Sequence, residues 1–455
     1  MQSFEQEEKS RLERFIVAGL LAVIFWAPLP LGSNRDWSAA LLILLIAILA
    51  LLRGVNLLRQ SQSDRNANQR LNQPGLVMLV LLSSTQVWVA AQWLIGWSDN
   101  PAASFQYLML GIAYTLMFVM ILSLFNTRKR LTLLLSVFLV SGAFQAFWGA
   151  SMVLSGVEWL FGVPKEYYLG KATGTFVNRN HLAGYLEMTI GLGIGLMLAL
   201  RDGKAFRWRN IIELLLGPKT KIRLAIVIMV IGLVMTQSRM GNAGFFSSLL
   251  IVGSIFVLIT KEHRLRNSLL LASFIIIDMI VISQYFGLER LKDRIINTEV
   301  SISQEDGKLV FDINDLRGLA FTNSIPLAQE KPLIGHGAGS FEVVFMAYAG
   351  PNFGGHFDKA HNDYIQFWVE YGIIGALPLL IFALFALYQA FRALKNKQSA
   401  YRSGVGFGAA MAIIAIIIHS ASDFNLQIPA NAMTFVIVCA IAVLANSHKN
   451  KRLRA

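Results

Sequence analysis

Long apolar runs separated by short polar connections dominate the chain. Twelve of them approach the roughly 20 residues needed to cross a ~30 Å hydrocarbon core. They fall at about 15–32, 38–58, 76–97, 105–125, 131–153, 182–200, 223–238, 243–260, 268–286, 365–391, 404–421 and 432–446. Each predicts an α-helix, because a lone strand leaves its backbone groups unsatisfied in lipid. The seventh run is short, and Lys219, Lys221 and Arg223 stand where they can snorkel from its inner end. The first run follows a mixed acidic and basic N-terminus without a small-residue cleavage site, so it is read as a retained span, not a signal peptide. The expected fold class is all-α and polytopic, with about 12 transmembrane helices.

Composition strengthens this reading. Of 455 residues, 55% are hydrophobic and 15% charged, against roughly 25% charged in a soluble domain. Cys439 is the sole cysteine, so no intrachain disulfide forms. The net charge of +13 would suit a nucleic-acid binder if it were clustered, but its placement points elsewhere. With a cytoplasmic N-terminus, the alternate short segments hold 28 Lys and Arg while the opposite side holds 12, seven of them in one long loop. That asymmetry is the positive-inside signal, and long loops are exempt from it. Both termini are therefore expected in the cytoplasm. The cytoplasmic segments then carry +20 and everything else −7, so the surplus lies against the inner leaflet and implies no nucleic acid.

The spans divide the chain into 1–153 (spans one to five), 154–286 (spans six to nine with a first outer loop, 154–181), 287–364 (a large outer loop) and 365–455 (spans ten to twelve and the tail). The outer loops are too long to be mere connections. Apolar positions at Leu316, Leu319, Ala320, Ile325 and Leu327 predict a short amphipathic helix around 313–330. The interfacial belt accounts for Trp26, Trp37, Trp88, Trp93 and Trp97 near span ends. Gly191 and Gly195 read as close helix packing.

Chemistry concentrates where the outer loops re-enter the membrane. The stretch AHNDYIQFWVEYGIIG (360–375) places His361, Asn362, Asp363, Gln366 and Glu370 at the lip of the tenth span, with Asn362, Gln366 and Glu370 on one face. Polar groups at that depth are costly unless they face protein or a wet cavity. Asn362 or Asp363 could serve simply as the helix cap, which explains neither His361 nor Glu370. A histidine with an ordinary pKa near 6.5 can take a proton from a hydroxyl at neutral pH. His336, His356 and His361 share the loop without metal-ligand spacing, so no metal is expected.

Three arginines stand in other outer segments of the chain. Arg239, in QSRMGN (237–242), either snorkels to lipid phosphates or faces inward from a helix end broken at Ser238 and Gly241. Arg317 is either a solvated charge on the amphipathic helix or part of a site. Arg179 lies in TFVNRNHLAGYLE with Asn178, Asn180, His181 and Glu187. Guanidinium groups around an outer cavity would suit a diphosphate, which they bind bidentately. Asp423 and Asn425 in HSASDFNLQIPAN (419–431) serve either turn formation or the site. Asp278, in the ninth span, has no partner that the sequence names.

Together these elements resemble the O-antigen ligase and polymerase family of bacterial envelope glycosyltransferases. The resemblance rests on GTFVNRNHLAGYLEM, SRMG, the stretch from Arg317 through EKPLIGHGAGSF, AHNDYIQFWVEYGIIG and HSASDFNLQIPAN, covering about residues 170–435. It implies a GT-C-like inner-membrane enzyme with a large periplasmic loop. The implied donor is a glycan on undecaprenyl diphosphate, moved to a lipid A core or growing-glycan hydroxyl with inversion and without cofactor or metal. By resemblance His361 is the general base, while Arg239 and Arg317 neutralise the departing diphosphate. Arg179, Asn178, Asn180, His181, Asn362, Asp363, Gln366 and Asp423 are the implied substrate-binding set. A polymerase of the same family is the first alternative. A twelve-span secondary transporter is the rival of another class, although it should show two similar halves, and no such repeat is visible.

Overall fold

The computed structural model describes residues 2–59, 72–200, 220–260, 268, 301–305, 308–312, 316–349 and 357–447. The ninth expected span, with Asp278, lies outside the described residues, as do His356 and the basic stretch 201–219. The described chain is an α-helical bundle: α1 (Gln2–Trp26), α2 (Asp36–Leu58), α3 (Gln73–Leu94), α4 (Pro101–Leu124), α5 (Arg128–Ser155), α6 (Arg179–Ala199), α7 (Thr220–Met235), α8 (Arg239–Ile259), α9 (Leu316–Glu330), α10 (Phe341–Ala349), α11 (Asp363–Leu394), α12 (Ala400–His419) and α13 (Pro429–Ser447). Among the described residues nine of these are long and apolar enough to cross a membrane. The chain is a polytopic, all-α membrane protein. The only strands described are two short hairpins, β1–β2 (Trp159–Leu160 with Val163–Pro164) and β3–β4 (Ser301–Glu305 with Lys308–Asp312).

Helix ends differ from the apolar runs for local reasons. α1 stops at Trp26, short of the expected Gly32, because Pro28 and Pro30 cannot continue it. The chain then turns through Leu31, Gly32 and Ser33, all at positive φ. Conversely, α6 and α8 begin at Arg179 and Arg239, before their apolar runs. Asn178 caps the first by accepting from Asn180 N at 2.8 Å. Ser238 caps the second by accepting from Gly241 N at 3.2 Å. Such a cap stabilises a helix by about 1 kcal/mol. The helix expected around 313–330 is present as α9, while α10 had no clear signal in the sequence.

α6 is the axis of the bundle. From Asn180 to Ala199 every residue is buried, and it runs along α12 through glycines on both partners. A Cβ at Gly195 would stand 2.7 Å from Gly408 Cα, and one at Gly404 would stand 2.2 Å from Ala199 N. Only a hydrogen there lets the backbones approach so closely. The starts of α6, α8 and α11 and the end of α12 lie at one end of the bundle. At the opposite end Glu13 bridges Arg53 at 3.4 Å and Arg130 at 2.6 Å, joining α1, α2 and α5.

α11 is interrupted. Gly372 has φ 62 and ψ −178, far from helical values. Into that break docks the loop after α9: Ile373 N donates to Pro332 O at 2.9 Å, and Ile374 N to Leu333 O at 3.2 Å. In return His336 N donates to Val369 O at 2.8 Å and Gly337 N to Glu370 O at 2.9 Å. Four backbone groups freed by the break thus find partners, as lipid-depth backbone requires. α9 and α10 pack on α11 through a small apolar core of Ala320, Leu327, Phe341, Phe345, Phe357 and Val369.

Candidate functional site

The segment 420–428, between α12 and α13, ties the starts of α6 and α11 together. Asp423 accepts from Asn180 Nδ2 at 2.5 Å and from Phe424 N at 2.8 Å. Its Oδ1 lies 3.8 Å from His181 Nε2. Asn431 Nδ2 donates to His181 O at 2.9 Å and to Asn425 Oδ1 at 3.1 Å. On the α11 side, Asn362 caps the helix by accepting from Ile365 N at 3.1 Å, and its amide donates to Ala421 O at 2.8 Å. Asp363 accepts from Ser420 Oγ at 2.7 Å and Leu426 N at 3.1 Å. Gln366 accepts from Ala360 N and donates to Glu370 Oε1, both at 2.8 Å.

These bonds sort the candidate residues physically. Asn178, Asn180, His181, Asn362, Asp363, Gln366 and Asp423 are buried. The bonds above commit most of their polar atoms to the segments that meet here, as buried polar groups require, while His181 Nε2 has no hydrogen-bond partner among the described residues. His361 and Arg179 remain partly exposed, and Arg239 is exposed. His361 has φ 51, in the left-handed region that few residues other than glycine occupy, histidine being among those enriched there. Its ring stands edge-on to Phe424 with centroids 4.9 Å apart, and His181 meets the same ring at 4.7 Å. Phe424 therefore separates a buried histidine from a partly exposed one. Strain of this kind, held by surrounding structure, clusters at functional sites.

Arg179 and the SRMG element are neighbours. Arg179 Nη1 donates to Gln237 O at 3.0 Å, and its guanidinium lies over the Tyr168 ring at 5.8 Å. Gln237 itself has φ 54, which turns the chain from α7 into the Ser238 cap. Arg317 stands in the first turn of α9, whose later turns pack on α11; its side chain lies outside the described residues.

Several pairings around the site had no sequence signal. Glu187 and His419 form a fully buried pair, Oε1 to Nδ1 at 2.6 Å, between α6 and α12. Gly244 of α8 faces it, since a Cβ there would stand 2.6 Å from Glu187 Oε2. Lys359, two residues before His361, donates to Tyr107 OH at 3.2 Å. Burial opposes its charge, but the Tyr107 phenol and the Glu370 carboxyl outweigh that and hold the ammonium above the ordinary lysine range. His336, considered above among loop histidines, is engaged by Asp99 Oδ2 at 2.8 Å and Leu327 O at 3.2 Å. An apolar cavity of about 410 Å³ lies below the start of α11, with Asp363, Ser420 and Gln427 at its polar end and Leu82, Leu380 and Phe435 further in.

Residues 224–380 match the O-antigen ligase family model, a stretch holding Arg239, Arg317, His361 and the break at Gly372. An uncharacterized protein of Haemophilus influenzae is 24% identical over 170 residues, covering 34% of this chain and 40% of that protein. The similarity to that family model covers the SRMG, Arg317–GHGAGSF and AHNDYIQFWVEYGIIG elements, while GTFVNRNHLAGYLEM and HSASDFNLQIPAN lie outside the matched residues.

Proposed function

We propose that the protein is an O-antigen ligase-type glycosyltransferase of the bacterial inner membrane. It moves a glycan from undecaprenyl diphosphate to an acceptor sugar hydroxyl at the periplasmic face, inverting the anomeric centre without a metal, and both its termini are cytoplasmic. The observation that carries the reading is the gathering, at one end of a membrane bundle, of a strained and partly exposed His361 with the Arg179–SRMG corner. The acceptor is the lipid A core in a ligase, or a growing glycan in a polymerase.

In this mechanism the acceptor hydroxyl attacks the anomeric carbon from the face opposite the diphosphate. The bond from that carbon to the bridging oxygen breaks, and its electron pair stays on the departing undecaprenyl diphosphate. His361 takes the hydroxyl proton, which the neutral imidazole does at neutral pH. Arg239, Arg179 and Arg317 hold the diphosphate, where fixed cations stabilise charge that grows in the transition state. The cavity under Asp363 has the apolar lining that a prenyl chain requires. The buried residues, Asn178, Asn180, His181, Asn362, Asp363, Gln366 and Asp423, shape the acceptor and donor subsites by holding the three segments in register.

The test is transfer from purified lipid-linked glycan. His361→Ala should lower the rate by at least ~10²-fold, the scale of a general base, at normal membrane levels. Arg239→Ala should weaken donor use steeply, and Arg239→Lys should restore only part of it, because lysine lacks the bidentate fork. Full transfer by both alanine variants overturns the proposal, and sensitivity to chelators overturns the metal-free step. In a deletion strain, loss of all capped lipopolysaccharide with accumulated lipid-linked polymer marks the ligase, while single-repeat caps mark the polymerase.

A further inference from the structure

The loop between α5 and α6 is folded with its polarity reversed. β1 and β2 form a hairpin with Leu160 opposite Val163, and its two-residue turn has Phe161 at φ 52 and Gly162 at φ 82. Two positive φ values are the turn that Asn-Gly or Gly-Gly satisfies best. A bulky residue in the first position is an outlier. The chain accepts that strain and places a phenylalanine at the very tip.

The loop's charges point inward. Lys165 Nζ donates to Glu158 Oε2 at 2.6 Å, to Lys171 O at 3.0 Å and to Tyr168 O at 3.2 Å. Glu158 Oε1 accepts from Gly170 N at 2.6 Å. The two charged side chains are only 6% and 11% exposed. By contrast Val157, Trp159, Phe161, Val163, Tyr167 and Leu169 are each more than half exposed. Glu166 is the single outward charge between Gly156 and Gly170. A hairpin in water would be built the other way round, with its charges solvated and its apolar face covered.

The apolar surface is also continuous with one already in lipid. α5 presents Phe147, Trp148 and Leu154 outward along its last turns, and the hairpin begins four residues after α5 ends. Trp and Tyr beside aliphatic residues are the side chains that settle at the membrane interface. A closed polar interior under an apolar surface is what lying in that interface requires.

We propose that residues 157–169 form a membrane-docking hairpin, seated in the headgroup and upper acyl region of the leaflet on the His361 side, with phospholipid as its partner. The hairpin is fastened to the arginine corner: Ala172 N donates to Met235 O at 2.9 Å, Gln237 Nε2 donates to Gly170 O at 3.4 Å, and Tyr168 lies under Arg179. Its depth in the leaflet therefore sets the depth of Arg179 relative to the headgroups.

The test uses full-length protein in nanodiscs of phosphatidylethanolamine and phosphatidylglycerol, in a Cys439→Ala background. An environment-sensitive fluorophore is attached at Val163→Cys. We expect blue-shifted emission, quenched at least two-fold more by lipids carrying a nitroxide near the headgroup than by aqueous iodide. Adding Phe161→Asn, which suits the turn better and removes the apolar tip, should cut the lipid quenching by half or more while the protein stays folded. Strong iodide quenching without lipid quenching would show a loop in water and overturn the proposal. Protection from both quenchers would show a protein partner instead, and would overturn it equally.

Discussion

Two seams hold the candidate site, and both depend on glycine, yet they work differently. Along α6 and α12 the glycines are helical, and they bring two regular helices into backbone contact. At α11 the glycine breaks the helix, and a loop's backbone completes the hydrogen bonding. The first seam is a continuous surface that can separate by a fraction of an ångström without losing a hydrogen bond. The second is a set of discrete bonds between Pro332–Gly337 and Val369–Ile374, so it holds one geometry or none. The loop it holds leads into α10 and the chain that carries His361. Rigidity is therefore placed beside the candidate base, while the α6–α12 seam supplies the frame.

Breaking the second seam should have the largest effect. A Cβ at Gly372 would stand 2.2 Å from Leu333 O, at a φ of 62 that side chains avoid. The conformation alone costs about 1–3 kcal/mol, and the backbone clash adds to it. Gly372→Ala should therefore lower folded yield and thermal stability severely, measured by size-exclusion fluorescence after heating in detergent. Gly408→Ala tests the other seam. Its Cβ would meet Gly191 O at 2.7 Å and Gly195 Cα at 3.0 Å. Alanine, however, gains about 1 kcal/mol of helix propensity there, and the helices can part slightly. We expect a loss several-fold smaller than at Gly372, and equal losses would erase the distinction between the seams.

Asp363→Ala should fall between neighbouring effects of the site and of the frame. It removes the acceptor of Ser420 Oγ and Leu426 N, and a buried donor left unsatisfied costs about 1–3 kcal/mol. The segment 420–427 would loosen from α11, and limited proteolysis there should accelerate while the α6–α12 seam stays protected. Unchanged protection would show that Asp363 is not a tie between the two.

Nine spans among the described residues were legible because a run of about 20 apolar residues has few other physical uses. The helix starts at Arg179 and Arg239 lie ahead of the apolar runs, since hydropathy begins four or five residues after the caps that set them. The site residues were legible as types, because polar side chains at a membrane lip demand a reason. Their division into buried ties and outward groups was not, because it depends on partners far away in sequence. Asn180 meets Asp423 across 243 positions, and Gln92 Nε2 reaches Glu370 O across 278. The break at Gly372 was equally hidden, since EYGIIG reads as ordinary helix until the loop bearing Gly335 lies against it.

The smallest expected effect concerns the outer fastening of that same loop. Asp99, between α3 and α4, accepts from Lys331 Nζ at 2.8 Å and meets His336 Nδ1 at 2.8 Å. Partial burial works against its charge, but the hydrogen bonds with Lys331 and His336 overcome it and hold the carboxyl below the usual Asp range. A carboxyl with a depressed folded pKa stabilises the fold above its unfolded value of about 3.9, and that contribution is lost as pH falls through the folded value. The protein should therefore lose a small increment of thermal stability on acidification below about pH 4, and none between pH 5 and 7 from this group. Because Asp99 and Lys331 are both partly solvated, screening keeps the contribution under about 1 kcal/mol. Asp99→Asn should flatten that acid limb and make stability less sensitive to salt. If the variant instead destabilised the loop as much as Gly372→Ala, the fastening at Asp99 and not the break in α11 would be what holds Pro332–Gly337 in place.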